Sequence, residues 1–428
     1  MKPTKNLWME MPINGAEPLI MHVDMNSCFA SLEQQANPLL RGRPVGVAAY
    51  ASPYGCVIAP SIEAKQMGVK TGMRVWEAQK QCPDIFIVQS NPTLYRDAHI
   101  RFKHIFQSYT DKVTPKSIDE AVIDFTGSEV IRRKSIEEIG YEIKKRVHED
   151  IGEWVRVNVG ISTNRFLAKT AAGLHKPDGL DTITKANVLD IYKGMELLDI
   201  TGINHRYKAR LNLDGIFTPL QFFEAPVWKL RKQVFKSIVG YYWHLKMRGW
   251  EIEDYDGERQ TIGHNNTLQV RTNDWDILAK FIMKLCEKVG RRLRRNDYIA
   301  EGIHVWIQYE DWDYWHVGMR THTRLYTTFD IYYYAMKLFY MQPNRKVPVK
   351  VGVTVYDLLP YEPEQLGLFD GGHGDMNELS RSLDSINDRY GDMVVGSALL
   401  ANMEGFILDR IAFGGVKDLY DLYDDVDG

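Results

Sequence analysis

The sequence predicts a multidomain protein of mixed α/β and α+β class, and three observations carry that prediction. At 428 residues the chain exceeds a single ordinary core. Its first part, to about residue 180, alternates short β-like apolar runs with helical stretches. The pattern then turns helical from about 185 to 250, and strands return beyond a polar stretch near 255–262 that reads as an interdomain linker. Hydrophobic residues make up 44% and charged residues 25%, ordinary for a folded soluble protein. No apolar run approaches the ~18 residues that a membrane-spanning helix needs. The N-terminus lacks the apolar core of a secretion signal, and Cys28, Cys56, Cys82 and Cys286 form no CxxC pair, so a reducing cytoplasm is expected.

Taken in order, Pro18 to Asp24 is a short apolar run closing on a carboxylate, which predicts a buried strand with Asp24 at its C-terminal end. Asn26 or Ser27 can cap the next helix, which runs through Phe29 and Leu32 until Pro38 stops it. Free amides of its first turn would then lie beside Asp24 and suit a phosphate. Residues 45–50 and 57–60 read as strands about a turn at Pro53 to Gly55, followed by a helix from Ser61 to Met67. Val113 to Phe125 alternates as a strand does, residues 135–150 read as helix, and a strand from Val155 to Ile161 leads into a helix from Asn164 to Leu174. Beyond the linker, strands are expected at Thr267–Val270, His304–Gln308 and Val349–Val355. Helices are expected near 276–296 and 329–341, with a last one from Ser382 to Leu400.

Charge divides unevenly along the chain. The net charge is −3, yet residues 361–428 hold 15 acidic against 4 basic side chains, which leaves the rest of the chain at +8. A basic body permits nucleic-acid binding without establishing it.

The carboxylates carry the chemistry. Asp119 and Glu120 are adjacent, and in an ideal strand neighbours point to opposite faces, so a turn or bulge is needed to bring both to one site. Joined by Asp24, they make a three-carboxylate set suited to hard, oxygen-preferring Mg²⁺. Among 56 acidic residues an Asp-Glu pair beside a strand is commonplace, so spacing alone favours an ordinary pair over a metal site. Asp124 reads as structural.

Three segments resemble the motifs of the Y-family, or lesion-bypass, DNA polymerases and stand in that family's order. They are Val23-Asp24-Met25 through Glu33, Ser117-Ile118-Asp119-Glu120-Ala121, and Val159 through Lys169. With Gly55 through Lys65, the likeness extends over residues 18 to 185 and continues more weakly to about 360. The wording from Ala59 to Lys65 is closer to the UmuC-like branch, including UvrX-type proteins of Gram-positive bacteria and their phages, than to the DinB branch.

The resemblance implies a right-hand polymerase with a palm at 18–27 and 89–180, small fingers at 28–88 and a helical thumb at 181–252. A linker at 253–262, a little finger at 263–360 and an acidic tail at 361–428 complete it. It implies error-prone, template-directed translesion synthesis in the SOS response to DNA damage, through two Mg²⁺ ions for which Mn²⁺ can substitute. Asp24, Asp119, Glu120 and the Met25 backbone carbonyl would hold the ions. Phe29 falls at the steric-gate position that selects deoxynucleotides, and Lys65 and Lys169 fall where the family places cations on the triphosphate. Ile62 stands where many relatives carry tyrosine, and Lys65 where many carry arginine. Ser117 would support the carboxylates from behind.

The stretch from Leu198 to Thr218 resembles the thumb's helix-hairpin-helix, with Gly202 and Ile203 approaching a DNA phosphate; Asn204 replaces the usual second glycine, and a plain helical hairpin stays equally open. Lys280, Lys284 and Lys288 recur every four residues and run into Arg291, Arg292, Arg294 and Arg295, a candidate phosphate track or else a solvated helix face. Gln365, Leu366, Leu368 and Phe369 resemble the peptide that binds the bacterial sliding clamp. The implied partners are primer–template DNA, deoxynucleoside triphosphates, the clamp and an accessory activator, in a cytoplasmic, nucleoid-associated setting with no membrane. A template-independent palm-type nucleotidyl cyclase is one rival, but it leaves the basic stretch unexplained. A catalytically silent, clamp-tethered DNA scaffold is the other, and Ile62 is the residue that keeps it open.

Overall fold

The computed structural model describes residues 8–252, 259–268, 271–343, 346–362, 373–391 and 394–401. They fall into two compact units, one running to Ile252 and one from Arg259 onward.

The first unit opens with β1 (Ile20–Met25) and α1 (Cys28–Ala36), then β2 (Val45–Ala48), β3 (Val57–Pro60), α2 (Ile62–Gln66), α3 (Val75–Gln81) and β4 (Phe86–Gln89). Next come α4 (Pro92–Gln107), β5 (Val113–Pro115), β6 (Glu120–Asp124), α5 (Ile136–Asp150), β7 (Val157–Ser162), α6 (Arg165–Leu174) and β8 (Leu180–Thr182). The helical remainder holds α7 (Val188–Gly194), α8 (His205–Leu213), α9 (Pro219–Glu224), α10 (Val227–Lys229) and α11 (Val239–Met247).

Two sheets result. Five strands lie in the order β5-β6-β1-β7-β8, and three in the order β3-β2-β4. Alternation along the central strands explains the larger sheet. Met21, Val23, Ile123, Val159 and Ile161 point to one face and pack with Phe102, Ile105 and Phe106 of α4 and Ile139, Ile143 and Val147 of α5. The opposite face carries the polar residues and is covered by α6. Local caps set the helix starts: Asn164 accepts from the Leu167 amide, and Ser135 and Glu138 form a capping box on α5.

The second unit contains β9 (Thr261–Thr267), α12 (Trp275–Arg295), β10 (Tyr298–Tyr309), β11 (Tyr314–Leu325), α13 (Thr328–Phe339), β12 (Pro348–Pro360) and α14 (His373–Tyr390). Its sheet, β11-β10-β12-β9, is antiparallel throughout. Leu278, Ile282, Leu285, Val289 and Leu293 of α12 bury against Ile303, Val305, Ile307, Val351 and Val353. Among the described residues, no helix is long and apolar enough to cross a membrane.

Two expectations are corrected here, and one strand is added. The strand foreseen at Thr267–Val270 is β9, which begins at Thr261 inside the segment read as linker. It is an edge strand of Thr, Gly, His and Asn in which Ile262 is the one buried residue, so its hydrophobic signal is faint. The edge strand β11 was missed for the same reason, since its side chains are mostly polar or half-exposed. The final helix starts at His373 rather than Ser382 and ends at Tyr390 rather than Leu400, where Gly391 at φ 115° breaks it. Asn204 is the N-cap of α8, accepting from the Tyr207 amide at 3.0 Å, which gives this residue a reason to stand where a glycine was expected.

Candidate active site

β1 pairs antiparallel with β6 so that Asp24 stands directly opposite Glu120, and with β7 so that His22 stands opposite Gly160. Cross-strand partners share a face, and residues two apart along a strand share it too. His22, Asp24, Glu120 and Gly160 therefore project together toward α6. Gly160 is what lets that helix close in: a Cβ there would stand 2.0 Å from the Ala168 carbonyl oxygen and 2.2 Å from the Ala172 nitrogen. The close approach delivers Lys169 to Glu120, where Nζ donates to the two carboxylate oxygens at 2.7 and 3.0 Å.

Asp119 reaches the same place through the irregularity its neighbour required. The amides of Lys116 and Ser117 both donate to the Glu120 carbonyl, at 2.9 and 3.2 Å, a bulged return just ahead of β6. The Asp119 carbonyl accepts from the Met25 amide at 2.9 Å, tying the end of β1 to this turn. The Ser117 hydroxyl donates to the Asp119 carboxylate.

Each carboxylate has its own partner. His22 Nε2 donates to Glu120 Oε2 at 3.0 Å, while His22 Nδ1 is buried without a partner among the described residues. Lys176 Nζ donates to Asp24 Oδ2 at 2.5 Å. Burial alone would raise the Glu120 pKa, but the hydrogen bonds from His22 and Lys169 and the lysine's charge outweigh it and hold Glu120 at about 2. Asp119 is pushed upward, first by burial and then by the charges of Asp24 and Glu120, against the pull of the Ser117 hydroxyl. Lys65 keeps an exposed side chain, yet the protein packed around its ammonium and the like charge of Lys176 lower its pKa, opposed by Asp24 and Asp119.

Among the described residues, no three acidic, histidine or cysteine side chains close on one point as metal ligands would. The carboxylates are turned to their lysine and serine partners instead. The donor set nevertheless fits a hard divalent cation: all three side chains offer oxygen, and the crowding that raises Asp119 is what a cation between them would relieve.

Next to Asp24, α1 begins at Cys28. Ser27 is its N-cap in a left-handed conformation, φ 49°, and makes no side-chain cap. Its hydroxyl is buried without a partner among the described residues. The expectation that Asn26 or Ser27 caps this helix through its side chain is therefore corrected, and the amides of the first turn are left uncapped. Phe29 is buried and stacks on Tyr95, centroids 4.3 Å apart at 12°, while the Tyr95 hydroxyl donates to Glu33 at 2.7 Å. Ile62 is half-buried at the start of α2, whose N-cap is Ser61. Asp124 accepts from the Thr126 amide at 2.7 Å, the structural role expected of it.

The residues expected to contact DNA fare unevenly. Gly202 takes φ 93° and lies over Trp243, so the turn it makes needs glycine. Ile203 is a core residue whose amide donates to the Ile200 carbonyl at 2.9 Å, so it shapes the turn from inside. On α12 the expected continuous basic face is corrected. Arg294 is buried and donates to both Asp384 oxygens on α14, at 2.5 and 2.8 Å, and to the Tyr326 carbonyl. Arg291 pairs with Asp388 of the same helix, and Lys284 is buried. Lys284, Lys288 and Arg292 crowd against β9, where burial and their charges push His264 down to about 3. Lys280 and Lys288 are half-buried, and of the stripe only Arg295 is well exposed. α13 and β9 pack against this helix, and α14 reaches it through the Arg291 and Arg294 pairs. Gln365, Leu366, Leu368 and Phe369 lie outside the described residues.

Sequence reasoning missed His22, Gly160, Lys176 and Asp384. His22 stands at i−2 from Asp24 and Gly160 stands opposite His22 on β7, a signal that needed the strand pairing to be known.

The chain matches the impB/mucB/samB family over residues 23–173 and that family's C-terminal domain over residues 259–368. It is 32% identical to DNA polymerase IV of Staphylococcus aureus (strain JH9) over 358 residues, covering 83% of this chain and 99% of that protein. It is 31% identical to DNA polymerase IV 1 of Bacillus subtilis (strain 168) over 396 residues, covering 89% of this chain and 92% of that protein. Among solved structures, a Y-family DNA polymerase chimera built on Dbh superposes with TM-score 0.67 at 25% identity, over 80% of this chain and 99% of the other. An insertion ternary complex of Dbh DNA polymerase gives 0.54 at 24% identity, with the same coverage.

Proposed function

The chain belongs to the Y-family DNA polymerases, and we propose that it is an error-prone translesion enzyme whose nucleotidyl transfer takes place at Asp24, Asp119 and Glu120. It is a DNA-directed DNA polymerase with the family's palm, fingers, thumb and little finger. The observation that carries the site is the strand register: Asp24 opposite Glu120, Asp119 one residue away in a bulged turn, and Lys65, Lys169 and Lys176 around them. The proposed boundaries are those of the sequence reading, with the little finger beginning at β9.

Asp24, Asp119, Glu120 and the Met25 carbonyl would hold two Mg²⁺ ions, with Mn²⁺ able to replace them. Bound there, the ions would supply Lewis-acid activation of the primer hydroxyl and of the leaving pyrophosphate. The chain's own residues do the rest. Lys65 and Lys169 offer compact ammonium charge to the triphosphate, and the uncapped first turn of α1 offers it amides. Ile62 adds only apolar surface where a hydroxyl donor would stand. Gly202, Lys280, Lys288, Arg292 and Arg295 are the proposed contacts to DNA phosphate, while Arg291 and Arg294 pair with acids of α14. Gln365, Leu366, Leu368 and Phe369 would recruit the sliding clamp, in a cytoplasmic, nucleoid-associated enzyme that an accessory activator assists. The wording from Ala59 to Lys65 supports the UmuC-like branch.

Primer extension on undamaged and abasic templates tests this reading. Wild-type protein with Mg²⁺ is expected to extend both, and more strongly with clamp present. Tight DNA and clamp binding without extension would overturn it in favour of a silent scaffold. Phe29, held flat against Tyr95, is proposed to sit beneath the sugar and exclude a 2′-hydroxyl. Phe29→Ala is expected to raise ribonucleotide incorporation at least ~100-fold relative to deoxynucleotide, about 2.7 kcal/mol of discrimination. An unchanged ratio in single-nucleotide insertion assays would remove the gate assignment.

A further inference from the structure

The sheet of the second unit buries one face, where Ile303, Val305, Ile307, Val351 and Val353 meet the core helices. Register sets a different cast on the other. His304 and Trp306 of β10 stand opposite Gly318 and His316 of β11, and Gln308 stands between Tyr314 and Lys350. An open antiparallel face ordinarily carries polar side chains. This one carries rings: Tyr314 keeps 52% of its surface exposed, His316 is exposed, and His304 and Trp306 are half-buried.

The four rings form one continuous row. Centroids lie 5.8 Å apart from Trp306 to Tyr314, 5.4 Å from Tyr314 to His316 and 5.3 Å from His316 to His304. The planes meet at 36°, 39° and 46°, so no pair uses up its ring faces on itself. The backbone beside the row is bare. A Cβ on Gly352 would stand 2.3 Å from the Trp306 indole, and one on Gly302 would stand 2.3 Å from the Tyr356 ring. Covering glycine explains Trp306 and Tyr356 by the sheet's own stability. It does not account for Tyr314 and His316, which stay exposed beside them.

Around the rings, cations are few. Lys350 Nζ stands 5.5 Å from the Trp306 centroid, and Arg320, further along β11, is paired with Asp357 at 2.8 Å. Burial and the facing imidazole of His316 lower the His304 pKa, so at neutral pH that ring is an uncharged aromatic. A duplex shows phosphate outside and hides the faces of its bases in the stack, so holding one calls for a row of cations. An unpaired strand offers its base faces, which stack on aromatic side chains whatever the sequence. A DNA polymerase works on a partly single-stranded template, so such a strand is at hand.

We propose that this face is a platform for single-stranded DNA, on which unpaired bases stack against Trp306, Tyr314, His316 and His304 while Lys350 meets the adjoining phosphate. It uses none of the carboxylates of the reaction site and none of the phosphate contacts proposed above, so it stands or falls without them.

The test is binding by the full-length protein, without metal or nucleotide, read by fluorescence anisotropy. Three labelled probes of about twelve nucleotides are compared: oligothymidylate, an abasic strand with the same phosphates and no bases, and a duplex. Wild type is expected to bind oligothymidylate at least ~10-fold more tightly than the abasic strand. Tyr314→Ala/His316→Ala, altered only at exposed positions, should lose ~10-fold on oligothymidylate and keep its affinity for the abasic strand and the duplex. Retained duplex binding shows that the variant is folded. Tyr314→Phe/His316→Phe keeps two rings without their polar atoms and should bind oligothymidylate as wild type does. Equal affinity of wild type for oligothymidylate and the abasic strand overturns the proposal, as does unchanged oligothymidylate binding by Tyr314→Ala/His316→Ala. An equal loss on the duplex overturns it too, because the face would then hold paired DNA.

Discussion

Asp119→Asn is expected to abolish primer extension, by at least ~10³-fold or about 4 kcal/mol of transition-state stabilisation, while leaving the protein as stable as wild type or more so. The two halves have one cause. Asp119 is largely buried, and Asp24 and Glu120 repel its charge, so its folded pKa lies above that of the unfolded chain. A carboxyl with a raised folded pKa binds more protons folded than unfolded, so it costs stability as pH rises from the ordinary aspartate range upward. At neutral pH asparagine removes that cost along with the proposed metal ligand.

Glu120→Gln should lose activity to a similar degree with the opposite effect on stability. The Glu120 pKa is held at about 2, against 4.5 for a free glutamate, by His22 and Lys169. A depressed carboxylate contributes stability that is fully present above the unfolded pKa and is lost as pH falls from about 4.5 toward 2. Allowing for solvent screening at a part-exposed site, glutamine should cost on the order of 1–2 kcal/mol near neutral pH. Thermal melts at pH 7 beside single-turnover extension decide it. A fully active Asp119→Asn would remove Asp119 from the metal site. A variant that is inactive but strongly destabilised would mean that Asp119 supports the fold instead.

This pairing also separates what was legible in the sequence from what was not. Asp24 at a strand end, Asp119 beside Glu120 and the helix bearing Lys169 could be read directly, because period-two apolar runs and an Asn164 cap are local signals. The bulge could be inferred from need, since two adjacent carboxylates cannot otherwise serve one site. Partnerships across the fold could not. His22 reads as one more residue of an apolar run until β6 is laid beside β1, and Gly160 reads as a weak strand position until α6 is laid over it. Lys176 sits 152 residues from Asp24, and only the tertiary structure joins them. The basic stripe failed for the same reason in reverse. Its spacing was right, but the acids that neutralise part of it come from α14, about 90 residues away, in a tail whose negative charge was noticed without its destination being known.

That destination gives the second large effect. Asp384→Ala is expected to destabilise the unit from Arg259 onward by about 3–5 kcal/mol, because it strands a guanidinium in the interior. Arg294 keeps only 5% of its side-chain surface exposed, and its bonds to Asp384 account for Nε and one terminal nitrogen; the other donates to the Tyr326 carbonyl. Arg294→Met alone should cost less, since Asp384 keeps 19% of its side-chain surface exposed and can hydrate. The double variant Arg294→Met/Asp384→Leu should recover most of what Asp384→Ala loses, as apolar replacement of a buried pair often does. Urea denaturation followed by tryptophan fluorescence, with Trp275, Trp306, Trp312 and Trp315 in this unit, reads the difference. The same variants distinguish a structural arginine from a DNA contact. Arg295→Ala should lower the salt dependence of DNA binding by about one unit of slope, whereas Arg294→Met/Asp384→Leu, if it folds as wild type does, should leave that slope unchanged. A slope that falls equally in both would return Arg294 to the phosphate track and make its pairing with Asp384 an arrangement that DNA displaces.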